Sequence, residues 1–149
     1  MKSTFLHKSH NVSVLMYHFV FPAKYRKSVF TETVDNKLVE VCKEIQDRFG
    51  IAFLEIGTDK NHVHFLIQSS PTYSPTKIVT IVKSLTAREI LKDCPEVKKK
   101  LWGGEFWSDG YFVSTVGQYS NENAIARYIK NQGQTEEYAQ ILKQTVLFE

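Results

Sequence analysis

The residue types that define several specialised protein classes are scarce in this chain. Its 149 residues include two cysteines, Cys42 and Cys94, which are too few and too isolated for a disulfide framework or a cysteine-based zinc site. No run of apolar residues reaches the roughly 18 that a membrane-spanning helix requires. The N-terminal stretch from Met1 to Lys8 lacks the apolar core of a signal peptide. We therefore expect a soluble, cytoplasmic protein.

The chain also has no large net charge and no internal repeats. The formal net charge is +3, which permits a polyanionic partner without requiring one. A hydrophobic content of 42% supports a core, and the absence of internal repeats and low-complexity tracts favours a single domain over residues 1–149. Within it, about residues 134–149 form a C-terminal tail. There Tyr138, Ile141 and Leu142 follow helical spacing and predict a short last helix.

The sequence alternates between strand and helix patterns. Thr31 and Gly50 bracket the clearest helix as its N-cap and its terminating glycine, and Ser74-Pro75 begins a second one. β-branched and aromatic residues mark the strands. The predicted order is strand 12–21, helix 31–50, strand 51–57, strand 61–67, a helix from 74, strand 111–116 and helix 121–132.

This order predicts an α+β fold. A strand, helix, strand, strand, helix, strand succession is the split βαβ pattern of ferredoxin-like (RRM-like) domains. In such a fold an antiparallel sheet packs its helices mainly on one face. We expect the open face to carry a His-x-His site.

Two histidines in the stretch from Asn61 to Ile67 are the first candidates for that site. His62 and His64 alternate with apolar residues, so in a strand both imidazoles point to the same face. They would lie about 6 to 7 Å apart, near enough to bind one divalent ion once a third ligand arrives from elsewhere. The alternative is a pair of half-buried strand histidines without a metal.

A carboxylate on the preceding strand is a candidate partner of this pair. If the turn at 58–61 forms a hairpin that pairs residue 57 with residue 62, Glu55 lies opposite His64. There it would orient the imidazole through a hydrogen bond, as groups beside metal ligands commonly do. The alternative is a glutamate that is merely exposed on an open sheet face.

Basic residues beside aromatic ones are candidate contacts to nucleic acid. After the first strand, Lys24 and Arg26 flank Tyr25, so the cations can hold phosphates while the ring stacks on an unpaired base. On the second predicted helix, Lys83 and Arg88 can reach a phosphate backbone. The alternative for both groups is ordinary solvated charge.

Two motifs together resemble a known family. His62-Val63-His64 resembles the His-hydrophobe-His motif of the HUH nucleases, and Tyr128 to Gln132 resembles the Tyr-x-x-x-Gln motif of their single-tyrosine transposases. These transposases, of the transposase-A type, belong to insertion sequences that move as single-stranded DNA. The similarity covers about residues 10–133, and further segments follow the family order: Tyr17 to Phe21 with Lys24 to Arg26, Thr58 to His64, and Ser114 to Gly117.

The resemblance implies a metal-dependent single-strand endonuclease and strand transferase. Tyr128 would be the nucleophile, and His62, His64 and Gln132 would hold Mg²⁺ or Mn²⁺. Attack on the scissile phosphate leaves a 5′-phosphotyrosine and a free 3′-OH, and a second DNA 3′-OH can reverse the attack. The implied substrate is single-stranded DNA with a hairpin at the element ends. The implied assembly is a homodimer in which His62 and His64 of one subunit meet Tyr128 of the other.

Other functions remain open at this stage. A domesticated relative that processes chromosomal repeats would use the same chemistry, and only its DNA substrate or genomic neighbourhood would distinguish it. A non-catalytic nucleic-acid-binding module of the same fold would use Tyr128 only for packing. A two-histidine phosphoesterase needs two His-x-Ser/Thr motifs, and the chain offers only His7-Lys8-Ser9, so we set that class aside.

Overall fold

The computed structural model describes residues 6–7, 12–13, 15–116 and 139–144 of the chain. The strands are β1 (Leu6–His7), β2 (Val12–Ser13), β3 (Leu15–Pro22), β4 (Ala52–Thr58), β5 (His62–Ser69), β6 (Phe112–Val116) and β7 (Ala139–Lys143). The helices are α1 (Glu32–Phe49), α2 (Pro75–Asp93), α3 (Pro95–Lys100) and one 3-10 turn (Lys24–Arg26). Within these ranges, no helix combines the length and the apolar character that crossing a membrane requires.

Among the described residues, five strands form one antiparallel sheet in the order β6-β3-β5-β4-β7. α1 connects β3 to β4, and β5 lies between those two strands, antiparallel to both. β6 pairs with the other edge of β3. This is the ferredoxin-like, split βαβ arrangement that the element order predicts, so the predicted α+β fold is confirmed. β1 and β2 pair in a separate two-stranded sheet.

The two faces of the main sheet have different surroundings. Phe19 of β3 and Phe65 and Ile67 of β5 point to one face, where they join buried residues of α1 and α2 in the hydrophobic core. Successive strand residues alternate between the faces, so His18 and His64 point to the other one. The described helices α1 and α2 therefore cover one face of the sheet, and the imidazoles lie on the opposite face.

Both long helices begin where the sequence predicts, and α1 also ends at the predicted glycine. The Thr31 side chain accepts a hydrogen bond from the Val34 amide at 3.3 Å, as an N-cap does. Gly50 ends α1 in the left-handed region, at φ 69°, where a side chain would be strained. Ser74 caps α2 by accepting a hydrogen bond from the Lys77 amide at 3.1 Å.

The described part of the C-terminal tail is a strand, so the predicted helical tail is wrong there. β7 pairs antiparallel with β4 and places Leu142 opposite Ile56. The Gln144 side chain adds a hydrogen bond to the Phe53 carbonyl at 2.7 Å. β4 is buried along its whole length, and its outer backbone groups need partners. This long-range pairing outweighs the helical spacing of three apolar residues.

The connection between α3 and β6 is irregular, and side chains of α2 and of the connection hold it in place. The Trp107 indole donates to the buried Thr86 hydroxyl at 2.9 Å. The Lys83 ammonium donates to three consecutive backbone carbonyls, those of Ser108, Asp109 and Gly110, at 2.7, 3.3 and 3.2 Å. The three bonds from Lys83 satisfy backbone carbonyls of this connection, and the bond from Trp107 satisfies a buried indole N–H.

We predict that the bond from Trp107 to Thr86 stabilises the fold. Thr86→Val keeps the side-chain shape but removes the acceptor of a buried indole N–H, so the free energy of unfolding in urea should fall by about 1–3 kcal/mol. Thr80→Val is the matched control, because the exposed Thr80 hydroxyl donates to the Thr76 carbonyl of its own helix. In a Trp107→Phe background the Thr86→Val loss should be smaller, and an equal loss there would contradict this assignment.

Candidate metal centre

A tight turn between β4 and β5 brings an aspartate and two histidines together. Thr58 pairs with Val63, and the Asp59 amide donates to the His62 carbonyl at 2.9 Å across the turn. One ligand atom from each of Asp59, His62 and His64 lies within 4.8 Å of the others. The cluster lies at one end of the sheet, on the face opposite the core.

His62 and His64 present their ring nitrogens in the same way. In His62, Nδ1 lies 2.7 Å from the Asn61 side-chain oxygen, and Nε2 lies 2.9 Å from Asp59 Oδ2. In His64, Nδ1 lies 3.3 Å from His18 Nε2, and Nε2 lies 3.7 Å from Asp59 Oδ2. Both rings therefore direct Nε2 towards the aspartate, and a neighbouring side chain contacts each Nδ1.

Burial favours the neutral form of all three imidazoles. It lowers the pKa of His18 to about 4. Burial, with the nearby His62 and His18 rings adding to it, lowers the pKa of His64 to about 3. Burial also lowers the pKa of His62, where the Asp59 carboxylate opposes the effect and the Arg26 charge adds to it. A neutral imidazole is the form that binds a metal ion, so the rings have the required protonation state at neutral pH.

The chemistry of the three donors fits a divalent cation. Imidazole nitrogens and carboxylate oxygens are both ligands that divalent metal ions accept in proteins. Asp59 is 5% exposed, and a carboxylate removed from water is stabilised by positive charge placed beside it. Asp59, His62 and His64 can therefore hold one ion together.

The sequence alone identified only part of this cluster. The two histidines were predicted, whereas Asp59 was not. The sequence feature that could have identified Asp59 is its position three residues before His62, on the other side of a turn. His18 was missed because strand 12–21 is apolar enough to suggest burial on both faces. The predicted ligand Gln132 and the predicted nucleophile Tyr128 lie outside the described residues.

Glu55 lies on the imidazole face, but its predicted place opposite His64 is wrong. The observed register pairs Gly57 with His64 and Glu55 with Leu66. Residue 57 thus pairs with a β5 residue two positions later than predicted. A shift of two residues keeps each side chain on the same face of the sheet. The Glu55 carboxylate accepts a hydrogen bond from the Gln140 side chain of β7.

The predicted DNA-binding loop lies beside the metal cluster. The turn Lys24–Arg26 directly follows Ala23. The Ala23 backbone amide donates to the Asn61 carbonyl at 2.8 Å. Tyr25 and Arg26 adopt positive φ angles of 58° and 50°, which are strained for residues other than glycine. Tyr25 is 58% exposed. This loop therefore presents an aromatic ring and a guanidinium next to the site.

The other three predicted DNA contacts are already paired. The Lys24 ammonium lies 2.7 Å from the Glu105 carboxylate, so a phosphate would have to compete for it. Arg88 pairs with Glu89 at 3.3 Å on the exposed surface of α2. Lys83 donates to three backbone carbonyls, so a phosphate would have to compete with them. Since α2 packs on the core face, neither Lys83 nor Arg88 is brought to the imidazoles.

The chain matches known transposases over most of its length. The family model described as "Transposase IS200 like" matches residues 11–132. The ISDra2 transposase TnpA of Deinococcus radiodurans is 30% identical over 118 residues, which cover 79% of this chain and 84% of that protein. The transposase for insertion sequence element IS200 of Salmonella typhimurium is 28% identical over 116 residues, which cover 78% of this chain and 75% of that protein.

Solved structures agree with this match. A Deinococcus radiodurans protein assigned as a transposase has a TM-score of 0.67 and 28% identity, over 89% of this chain and 98% of its own. The REP-associated tyrosine transposase bound to a REP hairpin shares the fold, with a TM-score of 0.50 and 10% identity, over 87% of this chain and 69% of its own. Because the family model spans well over half of the 149 residues, this protein belongs to the IS200-like transposase family.

Proposed function

We propose that this protein is a DNA transposase that cuts and rejoins single-stranded DNA at the ends of an insertion sequence. The observation that carries the proposal is the cluster of Asp59, His62 and His64 on the sheet face opposite the helices. Membership of the IS200-like family supports DNA as the substrate. The matched range also includes Tyr128 and Gln132, so both motifs of the chain fall within it.

The proposed cofactor is Mg²⁺ or Mn²⁺. Asp59, His62 and His64 would hold the ion, and Gln132 is proposed as a further ligand. When bound, the ion supplies positive charge that stabilises the charge developing on the scissile phosphate. Mn²⁺ suits a site with two imidazoles better than Mg²⁺, which prefers oxygen ligands.

Tyr128 is the proposed nucleophile. Its phenol oxygen forms a bond to phosphorus while the bond from phosphorus to the 3′ oxygen breaks. The phenol loses a proton and the departing 3′ oxygen gains one, so the products are a 5′-phosphotyrosine and a 3′-OH. The covalent link retains the phosphodiester, and a second DNA 3′-OH can reverse the attack and join the strand at a new place. The cycle therefore needs no nucleotide cofactor.

The turn Lys24–Arg26 is the proposed contact to the DNA next to the cut. Arg26 lies close enough to His62 for its charge to lower the pKa of that imidazole. A guanidinium at this place can hold a phosphate beside the metal, and the exposed Tyr25 ring can stack on an unpaired base. The structure of the REP-associated tyrosine transposase, which shares this fold, contains a bound REP hairpin. A DNA hairpin is the proposed partner of this protein as well.

Processing of chromosomal repeats is the second candidate function. The REP-associated tyrosine transposase shares the fold, and such a role would use the same residues and the same chemistry. The relatives at 30% and 28% identity come from insertion sequences, which favours the first candidate. Cleavage assays that compare insertion-sequence ends with repeat hairpins separate the two functions.

The nucleophile can be identified by the intact mass of the protein. After incubation with Mn²⁺ and single-stranded DNA carrying an insertion-sequence end, the protein should gain the mass of the cleaved strand on Tyr128. Tyr128→Phe removes only the hydroxyl, so metal and DNA binding should persist while the adduct disappears. Tyr25→Phe removes an exposed phenol beside the site and should keep the adduct. An adduct on Tyr128→Phe would place the nucleophile on another residue.

Loss of the metal should abolish cleavage and leave hairpin binding intact. Asp59→Asn and His62→Ala each weaken the site by one donor, so cleavage should fall by about 100-fold or more while hairpin affinity changes little. Gln132→Ala should be milder, because water can replace a neutral amide oxygen. Asp47→Asn, on the exposed side of α1, controls for the lost negative charge. Full cleavage in the presence of a chelator would rule out the metal.

The proposed assembly is a homodimer whose sites form in trans. Tyr128 belongs to residues 117–138, which lie between β6 and β7 and outside the described ranges. The family resemblance favours a site that combines His62 and His64 of one subunit with Tyr128 of the other. A symmetric dimer would then contain two equivalent composite sites.

Mixed dimers distinguish sites in trans from sites in cis. Tyr128→Phe and His64→Ala subunits are each inactive alone, and co-expression mixes them. In trans, a mixed dimer has one site with both defects and one intact site. If half of the dimers are mixed, about a quarter of the wild-type cleavage should return. In cis, every site carries one defect, so a purified mixed dimer that binds DNA without cutting it would contradict the trans arrangement.

A further inference from the structure

One histidine beside the metal cluster has no part in the proposed chemistry. His18 lies in β3, opposite Leu66, and is completely buried. Its Nε2 lies 3.3 Å from His64 Nδ1, and the planes of the two rings differ by only 10°. The ring centroids are 5.5 Å apart, so the rings meet edge to edge in nearly one plane. That is the geometry of a hydrogen bond between two ring nitrogens.

We propose that His18 is a positioning residue that fixes the tautomer and the orientation of His64 for metal binding. This role rests on the proposed metal site, of which His64 is one of three ligands. A hydrogen bond between two neutral imidazoles joins one N–H donor to one lone pair. When His64 Nδ1 donates to His18 Nε2, the lone pair of His64 Nε2 points towards Asp59. In the reverse arrangement the hydrogen of His64 lies on Nε2 and blocks coordination.

The same arrangement occurs at the other histidine of the cluster. The Asn61 side-chain oxygen lies 2.7 Å from His62 Nδ1, and an amide oxygen can only accept a hydrogen. His62 therefore carries its hydrogen on Nδ1 and also presents Nε2 to Asp59. Proteins commonly orient metal-binding histidines through the second ring nitrogen in this way. For His64 the orienting group is unusual only in being another imidazole.

The position of His18 in the sheet makes this contact rigid. Val20 is the residue directly opposite His64, so the His18 ring reaches His64 diagonally across β3 and β5. Phe112 of β6 packs edge-on against the His18 ring, with centroids 5.9 Å apart. His18 is thus held between its two neighbouring strands. Packing alone would equally well explain a buried ring at this place, and a test has to separate packing from positioning.

Two amide substitutions make that separation. His18→Gln places an amide oxygen near the position of Nε2, where it can accept the hydrogen of His64 Nδ1. His18→Asn places its oxygen near the position of Nδ1 and does not reach His64. Both variants lose the ring and bury a neutral amide, so a packing role predicts similar effects for both.

The measurement is a titration of the DNA-free protein with Mn²⁺. The unbound ion is quantified by electron paramagnetic resonance. His18→Gln should stay within about threefold of the wild-type affinity, whereas His18→Asn should bind about 10- to 100-fold more weakly. Equal affinities for His18→Asn and the wild type would overturn the positioning role, as would equal losses in the two variants. Wild-type protein that binds Mn²⁺ no better than His64→Ala would instead refute the proposed metal site itself, and the role of His18 with it.

A second measurement does not depend on the stability of the variants. Two-bond ¹H–¹⁵N correlation NMR of the metal-free wild-type protein shows which ring nitrogen of His64 carries the hydrogen. We expect it on Nδ1 before any metal is added. A hydrogen on Nε2 of His64 would overturn the proposal.

Discussion

One backbone hydrogen bond, from the Asp59 amide to the His62 carbonyl, closes the turn on which the whole site depends. It fixes the pairing of Thr58 with Val63 and thereby decides which side chains of β5 face the aspartate. A shift of the register by one residue would turn both imidazoles into the core and expose Val63, which is fully buried. The packing of the apolar face of β5 therefore keeps His62 and His64 on the opposite face, and the same packing supports the fold and the site.

Burial sets the protonation states of the site. His18 and His64 are removed from water and have lowered pKa values, so both imidazoles are neutral and each has a ring nitrogen with a free lone pair. A carboxylate in the same surroundings is costly unless a cation or hydrogen bonds stabilise it.

The hairpin also adjoins a turn in which Tyr25 and Arg26 have positive φ angles. Strained backbone of this kind persists only where the surroundings impose it, and it is concentrated at functional sites.

The parts of the structure that local pattern determines were predictable from the sequence. Thr31 and Gly50 identified α1 because capping is a local interaction, and the alternation around His62 identified the face of β5. The parts that depend on long-range pairing were not predictable. The β7 strand forms because the edge of β4 needs a partner, and the position of Glu55 depends on the register of the hairpin. His18 reaches the site through strand pairing, and no spacing in the sequence marks it as a neighbour of His64. Asp59 reaches the site through a turn, and its short spacing from His62 is its only sequence signal.

The proposed metal-binding role of His62 and His64 is open to a direct spectroscopic measurement. Electron spin echo envelope modulation of the Mn²⁺-loaded protein detects nitrogen nuclei bound to the ion. We predict modulation from two imidazole nitrogens, which the wild-type geometry directs at one point beside Asp59. One of the two couplings should be lost when either histidine is replaced. A spectrum of bound Mn²⁺ without any nitrogen coupling would contradict the site described for this transposase.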